Sequence, residues 1–222
     1  MTIIFLYNLT IEHWIKVIFQ CFFEILGYAY LIKAGNHQKE GIKSPFLLKL
    51  MGIINIIVLT SFQFFPSIHI DPNEFTNFEY FIFKNYKFFH KTFRNISRLS
   101  TFGICAYIFG KRNQDRLRGP IKNAGLFMIF SYVLRIVSSA ILVFFMYDTR
   151  YLFGMDLMEN NLWVVRVILE NISLTFYVVG VGFFIFHGRF NNDKYMTLGI
   201  LILIIGSIIG IILNWILPII LV

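Results

Sequence analysis

The chain has 222 residues, of which 57% are hydrophobic and only 14% are charged. Charged residues make up about 25% of ordinary soluble domains, so this composition excludes such a domain and indicates an integral membrane protein. A net charge of +8 in a soluble protein would suggest nucleic-acid binding. In a membrane protein it mainly reports which loops face the cytoplasm, so no nucleic-acid partner is expected.

Six apolar stretches follow one another along the chain, each about 20 residues long, the length that crosses a hydrocarbon core of about 30 Å as an α-helix. They cover residues 12–33, 46–66, 90–110, 123–147, 163–187 and 195–219. The N-terminus lacks the features of a cleaved signal peptide, and mature chain is expected there. The sequence therefore predicts an all-α integral membrane protein with six transmembrane helices, in which residues 1–222 form one multi-pass domain of the cell membrane.

Charge alternates between successive loops. Loops 33–43, 111–122 and 187–194 together hold ten Lys or Arg and three acidic residues, whereas 67–89 and 148–161 hold three Lys or Arg and six acidic residues. Because basic loops stay in the cytoplasm, the first group is predicted to be cytoplasmic and both termini extracytoplasmic. With Val222 at the outer face, any cytoplasmic output is expected to come from a partner protein.

A short sequence pattern recurs where odd-numbered spans run into basic loops. The segments that begin at Ala29, Ala106 and Phe183 align at a constant offset of 77 residues. This recurrence favours three helical hairpins of one kind, at approximately 1–76, 77–153 and 154–222. Chance similarity between short apolar helices is the alternative explanation.

The third span carries a basic stripe, defined here as Lys84, Lys87, Lys91, Arg94 and Arg98. Steps of three and four residues place all five side chains within an arc of about 80° on an α-helix. A charge at the bilayer centre costs at least about 2.5 to 3.5 kcal/mol, so the inner members of the stripe need partners.

Charged residues on other spans lie at matching depths. Glu24 and Arg135 are expected near the level of Arg98, and Glu170 near the level of Arg94. Arg166 and Glu170 can also pair with each other, because they are four residues apart on one helix. The charges could serve only to fix helix packing, by neutralising one another.

A binding site is the other interpretation, since Arg98 and Arg135 are expected to share only one carboxylate, that of Glu24. An arginine in excess binds carboxylates and phosphates bidentately. The predicted ligand-binding residues are therefore Arg98, Arg135, Glu24, Arg94, Glu170 and Arg166.

Other features predict little chemistry. His13 and His90 could lie at equal depth and hold a haem, which is a remote alternative, and no metal, nucleotide or hydrolase motif is present. Cys21 and Cys105 are expected to be reduced structural residues.

Gly206 and Gly210 form a GxxxG pair that serves packing within the chain or homo-oligomer formation. The basic loop 111–122 could bind a cytoplasmic signalling partner.

The leading hypothesis is a non-enzymatic membrane receptor or sensory module that binds an anionic or amphiphilic ligand between its helices. A small transporter or channel with the same charges along its path is the alternative. A membrane enzyme that acts on lipid comes third, and no catalytic residue is assigned.

Overall fold

The computed structural model describes residues 11–64, 77–115, 117, 120–146 and 161–220. Within them the chain forms six continuous helical segments and no strand, which confirms the predicted all-helical class for this part of the chain. The helices are α1 (Ile11–Asn36), α2 (Phe46–Phe64), α3 (Asn77–Arg98), α4 (Ala106–Arg112), α5 (Ile121–Ala140), α6 (Asn161–Phe190) and α7 (Lys194–Ile220).

Two of the six segments contain π-helical turns. The π-helix π1 (Leu99–Cys105) joins α3 to α4, and π2 (Ile141–Met146) extends α5. The backbone stays in the right-handed helical region at Arg98, Ala106 and Ile141, so each composite segment is one unbroken rod. The third rod begins at residue 77, well before the predicted start at 90, because apolar content marks only the part of a helix that lies among apolar surroundings.

Local sequence explains several helix ends. Proline, which has no backbone N–H and a fixed φ, stands immediately before both α2 and α5. The Asp193 carboxylate accepts a hydrogen bond from the Met196 amide at 3.0 Å and so caps the start of α7. Asn192 has a φ of 55° just after α6, where a left-handed residue ends a helix and Asn is tolerated. The turn from α6 to α7 is therefore encoded locally.

The six segments form a closed ring in chain order. Each packs against the next, with the rod made of α3, π1 and α4 lying between α2 and α5, and α7 closes the ring against α1. Helix α1 is thus held between α2 and α7, and α5 lies between the third rod and α6. This arrangement points one side of nearly every segment at a common centre.

Glycines permit the closest approaches in this ring. A Cβ on Gly52 of α2 would lie 2.5 Å from the Tyr28 carbonyl oxygen of α1. A Cβ on Gly125 of α5 would meet the Tyr107 amide nitrogen and would lie 2.7 Å from the Gly103 carbonyl oxygen. Because these neighbours are backbone atoms, a larger residue at either position would push the two helices apart.

The Gly206 position bears on the predicted GxxxG pair. A Cβ there would lie 2.7 Å from Cβ of Phe23, so Gly206 serves the contact between α7 and α1 inside the chain. Packing within the chain is one of the two uses predicted for this glycine. Homo-oligomer formation stays a prediction.

The interior and exterior of the ring differ from those of a soluble bundle. Buried polar residues include Glu24, Asn55, Ser131, Ser173 and His187. Large apolar side chains are exposed along α1, α2, α5, α6 and α7, and Phe22, for example, is 60% exposed. Two stretches, Ile121–Phe144 and Asn161–Phe190, are long and apolar enough to cross a membrane. By the same measure Phe46–Ser61 and Lys194–Ile209 are apolar but shorter.

Candidate functional site

One buried carboxylate joins two members of the basic stripe at the centre of the ring. Arg94 Nη2 lies 2.5 Å from Glu24 Oε1, and Arg98 Nη2 lies 3.6 Å from Glu24 Oε2. The Glu24 side chain is only 5% exposed, against 35% for Arg94 and 22% for Arg98. Two cations therefore share one anion, and this cluster carries one positive charge in excess.

The stripe geometry explains how one carboxylate reaches both arginines. Arg94 and Arg98 are four residues apart in α3, so their side chains leave the same face of that helix. The expected pairing of Glu24 with Arg98 is present. Lys84, Lys87, Lys91, His13 and His90 lie outside the described side chains, so the outer part of the stripe and the haem hypothesis stay predictions.

A small cavity borders this cluster. Its polar lining includes Glu24, Arg98, Tyr132, Tyr177 and Ser207, and the rest is mostly apolar. Its volume of about 30 Å³ holds one or two water molecules. Sites for ligands of drug size measure about 300 to 1,000 Å³. In this conformation the central cavity is therefore water-sized and lies beside an ion cluster.

Arg135 occupies a different position from the one expected. Its Nε donates a hydrogen bond to Ser173 Oγ at 3.1 Å, and its guanidinium carbon lies 5.1 Å from the centre of the Tyr177 ring and 5.8 Å from that of Tyr132. The second arginine at Glu24 is Arg94. The contacts described for Arg135 thus go to Ser173 and two tyrosines, since depth along a helix does not tell which way a side chain points around it.

Glu170 belongs to a third group. Arg166 Nη2 lies 2.8 Å from Glu170 Oε1, which confirms the pair predicted from the spacing of four residues on α6. The Ser138 hydroxyl also donates to Glu170 Oε1 at 3.0 Å. Arg94, expected near Glu170, is bound to Glu24 instead. Among the described residues on that side of the ring, the charge without a carboxylate partner is therefore that of Arg135.

An open cleft of about 380 Å³ lies where α3, α5 and α6 meet. Its lining comprises Asn95, Arg135, Ser138, Ser139, Glu170 and Leu174. We call it the side cleft. The side cleft brings together Arg135, Ser138 and Glu170, and its volume is more than ten times that of the central cavity.

Sequence reasoning missed the buried polar links that hold these elements in place. Ser131 and Ser173 each donate to the other's carbonyl oxygen, at 2.9 and 3.0 Å, and so tie α5 to α6 beside Arg135. Asn55 donates to Thr101 Oγ1 at 2.7 Å and ties α2 to π1. Isolated polar residues inside apolar spans are the signal that could have revealed them, since such groups need partners away from water.

A third link fixes the loop ends. Asn113 Nδ2 donates to the Lys43 carbonyl at 2.8 Å, and the Lys43 amide donates back to Asn113 Oδ1 at 2.6 Å. Asn113 is 1% exposed. Two loops predicted to be cytoplasmic, 33–43 and 111–122, are thereby joined.

Potential metal ligands do not cluster in the part of the chain that is described. No group of three His, Cys, Asp or Glu residues there is arranged to hold a metal ion. Cys21 and Cys105 are both free and partly buried.

Comparison with protein-family models, with curated proteins and with solved structures found no match to this chain.

Proposed function

We propose that the chain is a multi-pass cell-membrane protein in which all six helical segments cross the bilayer. The observation that supports this is the reversed distribution of polarity, with carboxylate, amide and hydroxyl groups inside the ring and Ile, Val, Leu and Phe side chains outside it. Water penalises an apolar exterior of this extent, whereas lipid tails solvate it. The two stretches long and apolar enough to span a membrane agree with the same proposal.

A repeat of the helical hairpin is part of the proposal. The contact of Gly52 with Tyr28 and Ile32 in the first hairpin has a counterpart in the contact of Gly125 with Gly103 and Tyr107 in the second. The partner residues are separated by 75 residues and the glycines by 73. Both hairpins thus pack a glycine of the second helix against backbone of the first, but at offsets that differ from the 77 seen in sequence, so the sequence repeat stays a prediction.

Reporter fusions test the topology. A reporter inserted after Lys39, which is exposed between α1 and α2, is expected to be cytoplasmic, and one fused after Val222 extracytoplasmic. Val222 lies outside the described residues, so its side follows from the loop charges alone. Insertion at Asn113 is unsuitable because that side chain is buried and bound to Lys43. Two reporters on the same side would show that the span count is not six.

We further propose that the protein is a receptor or sensory module for an anionic or amphiphilic ligand that binds between the helices. The charge balance of the clusters carries this proposal: they contain the four arginines 94, 98, 135 and 166 and only the two glutamates 24 and 170. Two positive charges are therefore not balanced by these carboxylates. Arginine among apolar helices favours a bound carboxylate or phosphate.

A small transporter or channel that uses the same charges is the alternative, and a lipid-modifying enzyme comes third. The water-sized central cavity favours a receptor over a conduit in this conformation. Flux of a bound anion into liposomes would support the alternative. A cytoplasmic signalling partner at loop 111–122 and a homo-oligomer also belong to this proposal.

Ligand-dependent stability tests the receptor proposal. The purified protein in a neutral detergent is heated with carboxylates, inorganic phosphate, anionic lipids, and matched neutral lipids and sugars. Anions are expected to raise the midpoint of thermal unfolding and neutral compounds to leave it unchanged, because binding to the folded state stabilises it. If no anion raises the midpoint over the neutral set, the proposed ligand class is wrong.

A further inference from the structure

Arg135 differs from Arg94, Arg98 and Arg166 in having no carboxylate partner among the residues that the structure describes. Arg94, Arg98 and Arg166 all form ion pairs with Glu24 or Glu170. Arg135 forms none with the described residues, and its only hydrogen bond there is the one from Nε to Ser173. Its two terminal nitrogens, which form the fork that binds carboxylates and phosphates, therefore keep their donors available.

The side cleft offers these donors a suitable space. Arg135 lines it together with Ser138 and Ser139, and the cleft is large enough for a phosphate or carboxylate group with attached atoms. Glu170 also lines it, but Arg166 and Ser138 already bind that carboxylate. The charge in the cleft that lacks a counterion is thus positive.

The surroundings of Arg135 strengthen the attraction for an anion. The tyrosine rings at 5.1 and 5.8 Å stabilise the cation and hold its position without neutralising it. Low-dielectric surroundings make a charge pair stronger than it is in water. Leu174, which is 51% exposed, lines the same cleft and gives an attached apolar chain a surface to follow.

From these contacts we propose that the side cleft, and not the central cavity, is the anion site, with the Arg135 fork binding a phosphate or carboxylate and Ser139 lying beside it. This rests on the proposed receptor function and assigns its ligand to one position. The Glu24 cluster, with its water-sized cavity, then serves to hold the bundle together.

Four variants test the assignment. Arg135→Gln removes the fork. Arg135→Lys keeps the charge but loses bidentate geometry. Ser139→Asp keeps Arg135 and places a competing carboxylate four residues away on the same face of α5. Arg189→Gln is the matched control, because Arg189 is exposed in the last turn of α6, outside the cleft lining.

Affinity is measured from the thermal midpoint against the concentration of inorganic phosphate, of a soluble carboxylate, and of phosphatidylglycerol, with phosphatidylcholine as the neutral comparison. Arg135→Gln and Ser139→Asp are each expected to weaken anion binding at least about tenfold, Arg135→Lys to weaken it less, and Arg189→Gln to leave it unchanged. Stabilisation by free phosphate would identify a soluble ligand. Stabilisation by phosphatidylglycerol alone would identify a lipid headgroup.

The outcomes separate the two proposals. If the unmodified protein binds no anion, the receptor proposal fails. If it binds anions and both Arg135→Gln and Ser139→Asp retain full affinity, the side cleft is not the site and the receptor proposal stands. If Arg135→Gln does not fold, Ser139→Asp alone decides the assignment by the same criterion.

Discussion

Replacing Glu24 with Gln is expected to lower the free energy of unfolding by up to about 3 to 5 kcal/mol, because it leaves two partly buried arginines without their shared carboxylate. The Nη2 atoms of Arg94 and Arg98 lie 2.5 and 3.6 Å from the Glu24 carboxylate oxygens. In the variant the two arginines would repel each other across an uncharged amide. Reversible denaturation in mixed micelles measures the loss. Glu40→Gln is the matched control, since Glu40 is exposed in a loop, and a change of less than about 0.5 kcal/mol is expected for it.

Double variants identify the arginine that depends on Glu24. Combining Glu24→Gln with Arg94→Gln or with Arg98→Gln is expected to recover part of the loss, since each removes one unbalanced cation. Arg98→Gln alone should cost about 1 kcal/mol or less, because Glu24 keeps its closer partner, Arg94. A Glu24→Gln protein as stable as the unmodified one would show that this ion cluster does not hold the bundle together.

Gly125→Ala is expected to destabilise the protein by about 2 kcal/mol or more. The added methyl group would meet the Tyr107 amide and the Gly103 carbonyl, which are backbone atoms that cannot rotate away. Overpacking of this kind typically costs about 1 to 3 kcal/mol, occasionally more. The higher helix propensity of Ala returns no more than about 1 kcal/mol of it.

Gly182→Ala is the matched control for that variant. Gly182 lies in the middle of α6, and a Cβ there would have no atom within 4 Å. The substitution is expected to be neutral or to stabilise by up to about 1 kcal/mol. Gly52→Ala should behave like Gly125→Ala because it meets the Tyr28 carbonyl in the same way. If Gly125→Ala matched Gly182→Ala in stability, the close approach of α5 to the third rod would be wrong.

The sequence by itself determined the helical class and the approximate positions of all six rods. Apolar runs of one helix length, separated by polar loops, admit few other arrangements. Four of the six predicted stretches lie within an observed helical segment, and the other two, 46–66 and 123–147, extend one or two residues past the end of one. The pair Arg166 and Glu170 was also predictable, since a spacing of four residues sets the geometry within one helix.

Only the tertiary structure decided which charges meet across helices. The spacing of charges along each helix follows from the sequence, but the direction of a side chain relative to its neighbours depends on how neighbouring helices are rotated about their axes. That rotation depends on contacts such as Gly125 with Gly103 and Ser131 with Ser173, which join residues distant in sequence. It pairs Glu24 with Arg94 as well as Arg98, and it turns Arg135 toward Ser173 and the side cleft.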